Sequence, residues 1–295
     1  MSAGRVFVVG SLNADHRVQV ARIPKPGETM LASDIIVSAG GKGANQAVAA
    51  ARAGAATTII GAIGDDGDGA VVSQALQRQD IDTGHVRVIP DAPTGRALIT
   101  VDARGENTIV VSPGANDKLA VDDIDAGLRG IGDGDLLLLQ LETPELLVRH
   151  AARVASAAGA GVLLNPTPVP ESVCGLFDDV DLLIVNEHEL AQLGDDIAGL
   201  ARQAEATVIC TAGAEGASVT HRGRVEHVAA ADVHAVDTTA AGDTFIGYVA
   251  AHLAARRDDI IGAIETAVQA AGLAVTRAGA IDSIPYRNEL PEGTR

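Results

Sequence analysis

Val236-Asp-Thr-Thr-Ala-Ala-Gly-Asp-Thr-Phe245 joins a run of small residues to an Ala-rich, proline-free stretch over 244–255, which predicts a turn feeding a helix. The first amides of a helix have no intrahelical partner and lie at its positive end. The N–H groups of Ala240, Ala241, Gly242 and Asp243 are therefore expected to form an anion hole. With no bulky side chain ahead of Asp243, a phosphate can come close. Asp243 itself repels the anion that the amides attract, so its use there would be chemical: it can take a proton from a hydroxyl that attacks a bound phosphoryl group. An acidic residue at a helix start also favours the helix with no chemistry at all.

Upstream, Arg5-Val-Phe-Val-Val-Gly10 reads as a buried first strand. The polar Ser11-Leu-Asn-Ala-Asp15 follows it, where a dinucleotide-binding fold would place a glycine-rich turn and a helix. Asn13 and Asp15, two apart in an extended segment, point to one side and suit adjacent hydroxyls of a sugar; turn-forming residues would have the same identities. A further strand is expected over 29–37. Ala39-Gly-Gly-Lys-Gly-Ala-Asn-Gln-Ala47 then opens an Ala-rich helix ending near Gly54. Gly43 stands where a P-loop needs Ser or Thr, so that motif fails. Gly41 leaves room for a ligand, and Lys42 and Asn45, three apart at the helix entry, can face it together.

Strands are expected over 57–63, 85–89, 96–102 and 108–111, with a helix over 70–78. Asp65, Asp66 and Asp68 ahead of that helix read as its capped start, because the calcium-loop pattern is absent. Segments 13–38 and 93–112 interrupt the α/β rhythm and are expected to form one small sheet outside the main layer. From Lys118 on, apolar strands over 136–141, 161–165, 182–185 and 207–211 alternate with helices such as 144–158. A hairpin about Gly223 and helices over 244–255 and 260–277 close the chain. This pattern predicts a mostly parallel sheet covered by helices on both faces, with ligands at the carboxyl ends of its strands. That rule marks Gln140 to Glu142, Asn165 and Asn186 to Glu189. Glu142 can orient a sugar, join a metal–phosphate shell, or cap the helix ahead of Pro144. Asn186 and Glu189 have capping-box spacing.

The composition suits a single globular α/β domain over 1–295: 47% of residues are hydrophobic, but only three Phe, two Tyr and no Trp are present. The core must therefore be built from Ala, Val, Leu and Ile. A net charge of −17 repels nucleic acid and anionic membranes and favours a small-molecule ligand. Lys25, Lys42 and Lys118 are the only lysines. Cys174 and Cys210 lack metal or disulfide spacing and are expected as buried free thiols in a reducing compartment. The chain has neither an 18-residue apolar stretch nor a signal peptide, so a cytoplasmic protein is expected.

The 237–245 stretch closely resembles the C-terminal signature of the ribokinase-like (pfkB) sugar kinases. Further motifs keep the family order: Asn13-x-Asp15, Gly40-Gly-Lys-Gly-Ala-Asn45, Ser112-Pro-Gly-Ala-Asn116, Asn186-x-x-Glu189 and Thr211-x-Gly213-x-x-Gly216. The resemblance implies a small β lid made by 13–38 and 93–112, a sugar beneath it, ATP beyond the anion site, and a homodimer through the lids. It implies that Asn13, Asp15, Gly41, Lys42, Asn45 and Glu142 contact the sugar together with Asp243. Asn186, Thr211, Gly213, Gly216 and Gly242 would hold the nucleotide, and Glu189 would hold Mg²⁺ indirectly. Asp237, Thr239, Ala274, Arg277, Gly279 and Ser283 match positions around an activating monovalent cation, K⁺. Val268 departs from the pattern, since the family often places Asn or His against adenine. The reaction implied is transfer of the ATP γ-phosphoryl group to the primary (5-) hydroxyl of D-ribose with Asp243 as general base. Deoxyribose, fructose or a nucleoside are alternative acceptors, and a non-catalytic sugar-binding protein is the alternative of another class.

Overall fold

The strands divide into two sheets in a computed structural model that describes residues 4–194 and 196–291. The first half of the chain runs β1 (Val6–Val9), β2 (Asn13–Gln19), β3 (Ile36–Gly40), α1 (Lys42–Arg52), β4 (Thr57–Gly64), α2 (Gly67–Gln77), β5 (Ile81–Ile89), β6 (Gly95–Val101) and β7 (Asn107–Ser112). There follow α3 (Val121–Gly127), β8 (Leu136–Gln140), α4 (Glu145–Ala157), β9 (Gly161–Asn165), β10 (Leu182–Asn186), α5 (Glu187–Leu193) and α6 (Ile197–Ala204). The chain ends with β11 (Thr207–Thr211), β12 (Ala217–His221), β13 (Arg224–Val228), α7 (Ala241–Ala255) and α8 (Ile260–Ala274).

The main sheet has nine strands in the order β13-β12-β11-β10-β9-β8-β1-β4-β5. It is parallel from β5 to β11 and antiparallel at β12 and β13. Its strands are apolar on both sides because helices cover both faces. Val6 and Val8 pack toward α1, α7 and α8, whereas Phe7 and Val9 pack toward α3 and α4. Strand order reverses at β1, with β4 on one side and β8 on the other, and ligands of such sheets collect outside the carboxyl ends at that point. The chain leaves β1 there and enters the second sheet.

That second sheet has four strands in the order β3-β2-β6-β7. Its register sets Asp15, Ala97 and Val111 side by side, with Ile99 and Ile109 farther along the same face. Ile109 and Val111 are exposed on it. The opposite face is tied to α2, where Asp68 accepts from His16 at 3.1 Å and from Arg96 at 2.5 Å.

Some element bounds differ from the sequence reading. The strand expected over 29–37 is instead Ile36–Gly40, because pairing of Ser38 and Gly40 with Asp15 and Asn13 sets its place. β5 starts at Ile81 rather than 85 by pairing with Thr57. α7 starts at Ala241, since Ala240 takes a left-handed turn at φ 58°. α8 stops at Ala274 rather than 277. Cys174 is exposed, contrary to expectation, because it lies in an irregular segment; Cys210 is buried within β11. Among the described residues, no helix is long and apolar enough to cross a membrane.

Candidate active site

The close approach of α1 and α7 builds the centre of the site. A Cβ on Gly247 would stand 2.4 Å from that of Ala49, so only glycine permits this contact. It brings Asn45 and Gln46 to the first turn of α7. Asn45 Nδ2 donates to Asp243 Oδ2 and Gln46 Nε2 to Asp243 Oδ1, both at 2.9 Å. Of the four amides expected to be free, Ala241 N–H is not: the tight turn gives it the Thr238 carbonyl at 3.2 Å. The N–H groups of Ala240, Gly242 and Asp243 make no hydrogen bond among the described residues. The space beside Gly242 is open, for a Cβ there would meet nothing within 4 Å.

On the side of the small sheet, Glu142 lies beyond β8 and accepts from Ser11 Oγ at 2.6 Å and Asn13 Nδ2 at 3.4 Å. It does not cap α4, whose entry makes no side-chain cap bond. Asn116 donates to Asn13 Oδ1 at 2.8 Å and accepts the Leu12 N–H at 2.9 Å, which leaves the Asn13 amide nitrogen toward Glu142. Asp15 is only 9% exposed. Burial, and then the carboxylates of Glu142 and Asp243, push its carboxyl up to about 7. For Lys42, burial alone would lower the ammonium's affinity for its proton. The surrounding carboxylates of Asp243, Glu142 and Glu189 outweigh that and hold it above its ordinary range. Asn45 Oδ1 and Thr143 Oγ1 are buried without a partner among the described residues. Asn13, Asp15, Lys42, Asn45, Glu142 and Asp243 thus share one neighbourhood, and Gly41 makes the turn into α1 at φ 91°.

Two cavities continue from Asp243 on the other side. The smaller, about 180 Å³, is lined by Lys42, Asn186, Glu189, Thr211, Gly242 and Asp243. The larger, about 290 Å³, is lined by Thr211, Gly213, Gly216, Gly242, Val268 and Gly272, among others. Thr211 and Gly242 border both, so the two form one path. Asn186 and Glu189 make the capping box of α5 with bonds of 2.8 and 2.9 Å. The other Glu189 oxygen accepts from Thr167 Oγ1. The structural role of this pair is therefore real, and each carboxylate oxygen keeps a lone pair for water.

Asp237, Thr239 and Gly279 are joined directly. Asp237 Oδ1 accepts the Thr239 N–H at 2.9 Å and hydroxyl at 2.6 Å, and Oδ2 accepts the Gly279 N–H at 3.0 Å. Although burial opposes ionisation, these bonds and the charge of Arg17 hold the Asp237 carboxyl below its usual range. Arg17, on β2, reaches Asp237 Oδ2 at 3.6 Å. Ala274 accepts the Arg277 N–H at 3.0 Å, the Arg277 guanidinium turns to Glu289, and Ser283 Oγ donates to Ala280. Gln140, marked by its strand end, belongs to the site; Ser11, Gln46 and Asn116 belong to it as well but were not legible as such. Gln46 follows Asn45 directly, and a helix turns adjacent residues about 100° apart, so periodicity gives no hint that both reach one carboxylate.

Residues 3–287 match the family model described as pfkB family carbohydrate kinase. A ribokinase of Haemophilus influenzae is 39% identical, with 97% of this chain and 96% of that protein covered. A deoxyribokinase of Salmonella typhi is 35% identical, with 97% of each covered. A solved structure of Arabidopsis thaliana ribokinase complexed with ribose and ATP has a TM-score of 0.85 at 31% identity, with 97% of each chain covered.

Proposed function

The chain belongs to the pfkB family of carbohydrate kinases, and we propose that it transfers the γ-phosphoryl group of ATP to the 5-hydroxyl of D-ribose. One observation carries this reading: the Asp243 carboxylate is held by Asn45 and Gln46 beside amides unpaired among the described residues, between the polar cluster of Asn13, Asp15 and Glu142 and the path through Thr211 and Gly242. Similarity to ribokinases over 97% of the chain supports ribose as the acceptor.

In this reading Asn13, Asp15, Gly41, Lys42, Asn45 and Glu142 hold the sugar hydroxyls, with the free Asn45 Oδ1 as one acceptor. Asp243 takes the proton as the 5-oxygen bonds to the γ-phosphorus and the bond to the leaving ADP oxygen breaks. The amides of Ala240, Gly242 and Asp243 and the Lys42 ammonium stabilise charge on the transferring group. Asn186, Thr211, Gly213 and Gly216 hold the nucleotide. Mg²⁺ supplies charge neutralisation on the phosphates when bound, and Glu189 fits a role of holding it through water.

A monovalent cation, K⁺, would sit by Asp237, Thr239, Ala274, Arg277, Gly279 and Ser283, where the Asp237 carboxylate already draws in the positive charge of Arg17. The segments 13–38 and 93–112 act as a lid on a single domain. Its exposed Ile109 and Val111 favour cover by a second copy, a homodimer through the lids. The acidic balance and the absence of metal or disulfide spacing at the cysteines support a cytoplasmic enzyme.

ADP formation from Mg·ATP with D-ribose, 2-deoxyribose, fructose and adenosine, each with and without K⁺, tests this. Ribose is expected to give the highest kcat/KM, with stimulation by K⁺. No ADP with any of the sugars would overturn the kinase reading; a better rate on another acceptor would overturn ribose alone.

A further inference from the structure

Gln46, on α1, and Gln140, at the end of β8, are both fully buried. Neither borders the two cavities that lead from Asp243, and the reading above gives them no contact with a substrate. They nevertheless form a chain that ends on the reacting carboxylate. A carboxylate can only accept, so Asp243 Oδ1 requires the Gln46 amide nitrogen, which lies at 2.9 Å. Gln46 Oε1 must then point away, and it accepts Gln140 Nε2 at 2.5 Å. The last atom, Gln140 Oε1, is buried with no partner among the described residues. It lies against Gly10, where a Cβ would stand only 2.0 Å from it.

The direction of this chain is therefore set from the charge outward. Turning either amide over would bring oxygen against oxygen, at the carboxylate or between the two glutamines. An unpaired buried carbonyl is unfavourable, and here it is accepted at the far end, where leucine would have filled the same space without that cost. We propose that Gln46, locked by Gln140, is a positioning residue that fixes the rotation of the Asp243 carboxylate for proton transfer, with Asn45 holding the second oxygen. This role rests on Asp243 as the base.

The test compares full-length wild type, Gln46→Met, Gln140→Met, the double variant and Asp243→Asn. Turnover is expressed per nucleotide-binding site counted by calorimetry, so that unfolded molecules do not enter. Gln46→Met is expected to lose about 10- to 100-fold in kcat, with the KM for sugar and for ATP within about threefold of wild type. Gln140→Met should lose less, and the double variant should match Gln46→Met alone, because the second link acts only through the first. Should Gln46→Met fail to fold, Gln140→Met, more remote from the carboxylate, carries the same kcat-against-KM test. Wild-type turnover per site in the glutamine variants, or losses that multiply in the double variant, would overturn the proposal. An inactive Asp243→Asn beside fully active glutamine variants removes only the positioning role. A fully active Asp243→Asn removes the base itself, and the positioning role with it.

Discussion

Asn45 gives its amide nitrogen to Asp243 at 2.9 Å and keeps its own oxygen buried without a partner among the described residues. The residue thus fixes the proposed base while offering an acceptor to a substrate hydroxyl. Asp243→Asn keeps the volume and one accepting oxygen but removes the basic charge. It is expected to lower kcat by about 10²- to 10⁴-fold with little change in sugar affinity. Steady-state kinetics with calorimetric sugar binding checks both halves; turnover near that of wild type would remove Asp243 as the base.

Asp15 predicts a dependence on pH. In the free protein its carboxyl is pushed up to about 7 by burial, Glu142 and Asp243. Sugar hydroxyls donated to the carboxylate would favour the ionised form, so sugar affinity is expected to tighten between about pH 6 and pH 8. Asp15→Ala should flatten that profile and raise the KM for sugar more than that for ATP. Equal effects on both substrates would take Asp15 out of the sugar pocket.

The same carboxyl sets a stability expectation. The folded chain holds this proton up to about 7, whereas the unfolded chain releases it near 3.8, so its contribution is full below 3.8 and is lost as pH rises toward 7. Asp15→Asn should accordingly stabilise the ligand-free protein at pH 8 by up to about 4 kcal/mol and leave it nearly unchanged near pH 4. Chemical denaturation at the two pH values measures the difference.

Lys42 is held charged by three carboxylates although burial opposes it. Lys42→Met removes the cation nearest the smaller cavity and is expected to cost about 10- to 100-fold in kcat, with Lys42→Arg recovering only part, because the guanidinium fork does not match a point-charge site. Full activity in Lys42→Met would mean that the amides of Ala240, Gly242 and Asp243, with Mg²⁺, suffice for the phosphoryl charge.

Val268 bears on the choice of base. The polar side chains lining the larger cavity are Thr211 and Thr238, and the rest are Gly, Ala, Val and Phe. With no side-chain amide or imidazole to read the base edge, kcat/KM for ATP and GTP should fall within about 10²-fold. A preference of about 10⁴-fold would show that backbone groups do the reading.

The parallel sheet was legible because β1, β8, β9 and β10 are unbroken apolar runs, which only a doubly covered strand requires. Asn13, Lys42, Asn186 and Asp243 were legible because each sits at a strand end or helix start, where local rules apply. Gln140 was marked by its strand end too, but Gln46 and Asn116 were not legible, since their partners lie 197 and 103 residues away in the chain: the packing of α1 against α7 brings Gln46 to Asp243, and Asn116 meets Asn13 from the turn after β7. β3 was misplaced for a related reason: its bounds come from pairing with β2, and an isolated segment does not announce its partner. The turn at Ala240 consumed one of the four amides expected to be free, a detail set by φ at one residue rather than by residue type.

The ion pair between Arg17 and Asp237 reaches from the strand bearing Asn13 and Asp15 to the loop that leads into α7. Were a ligand to order either end, part of the ordering cost at the other would already be met, and by thermodynamic reciprocity acceptor and donor would then tighten each other's binding by the same factor. Breaking that pair should leave each ligand's solitary affinity nearly intact while diminishing their synergy.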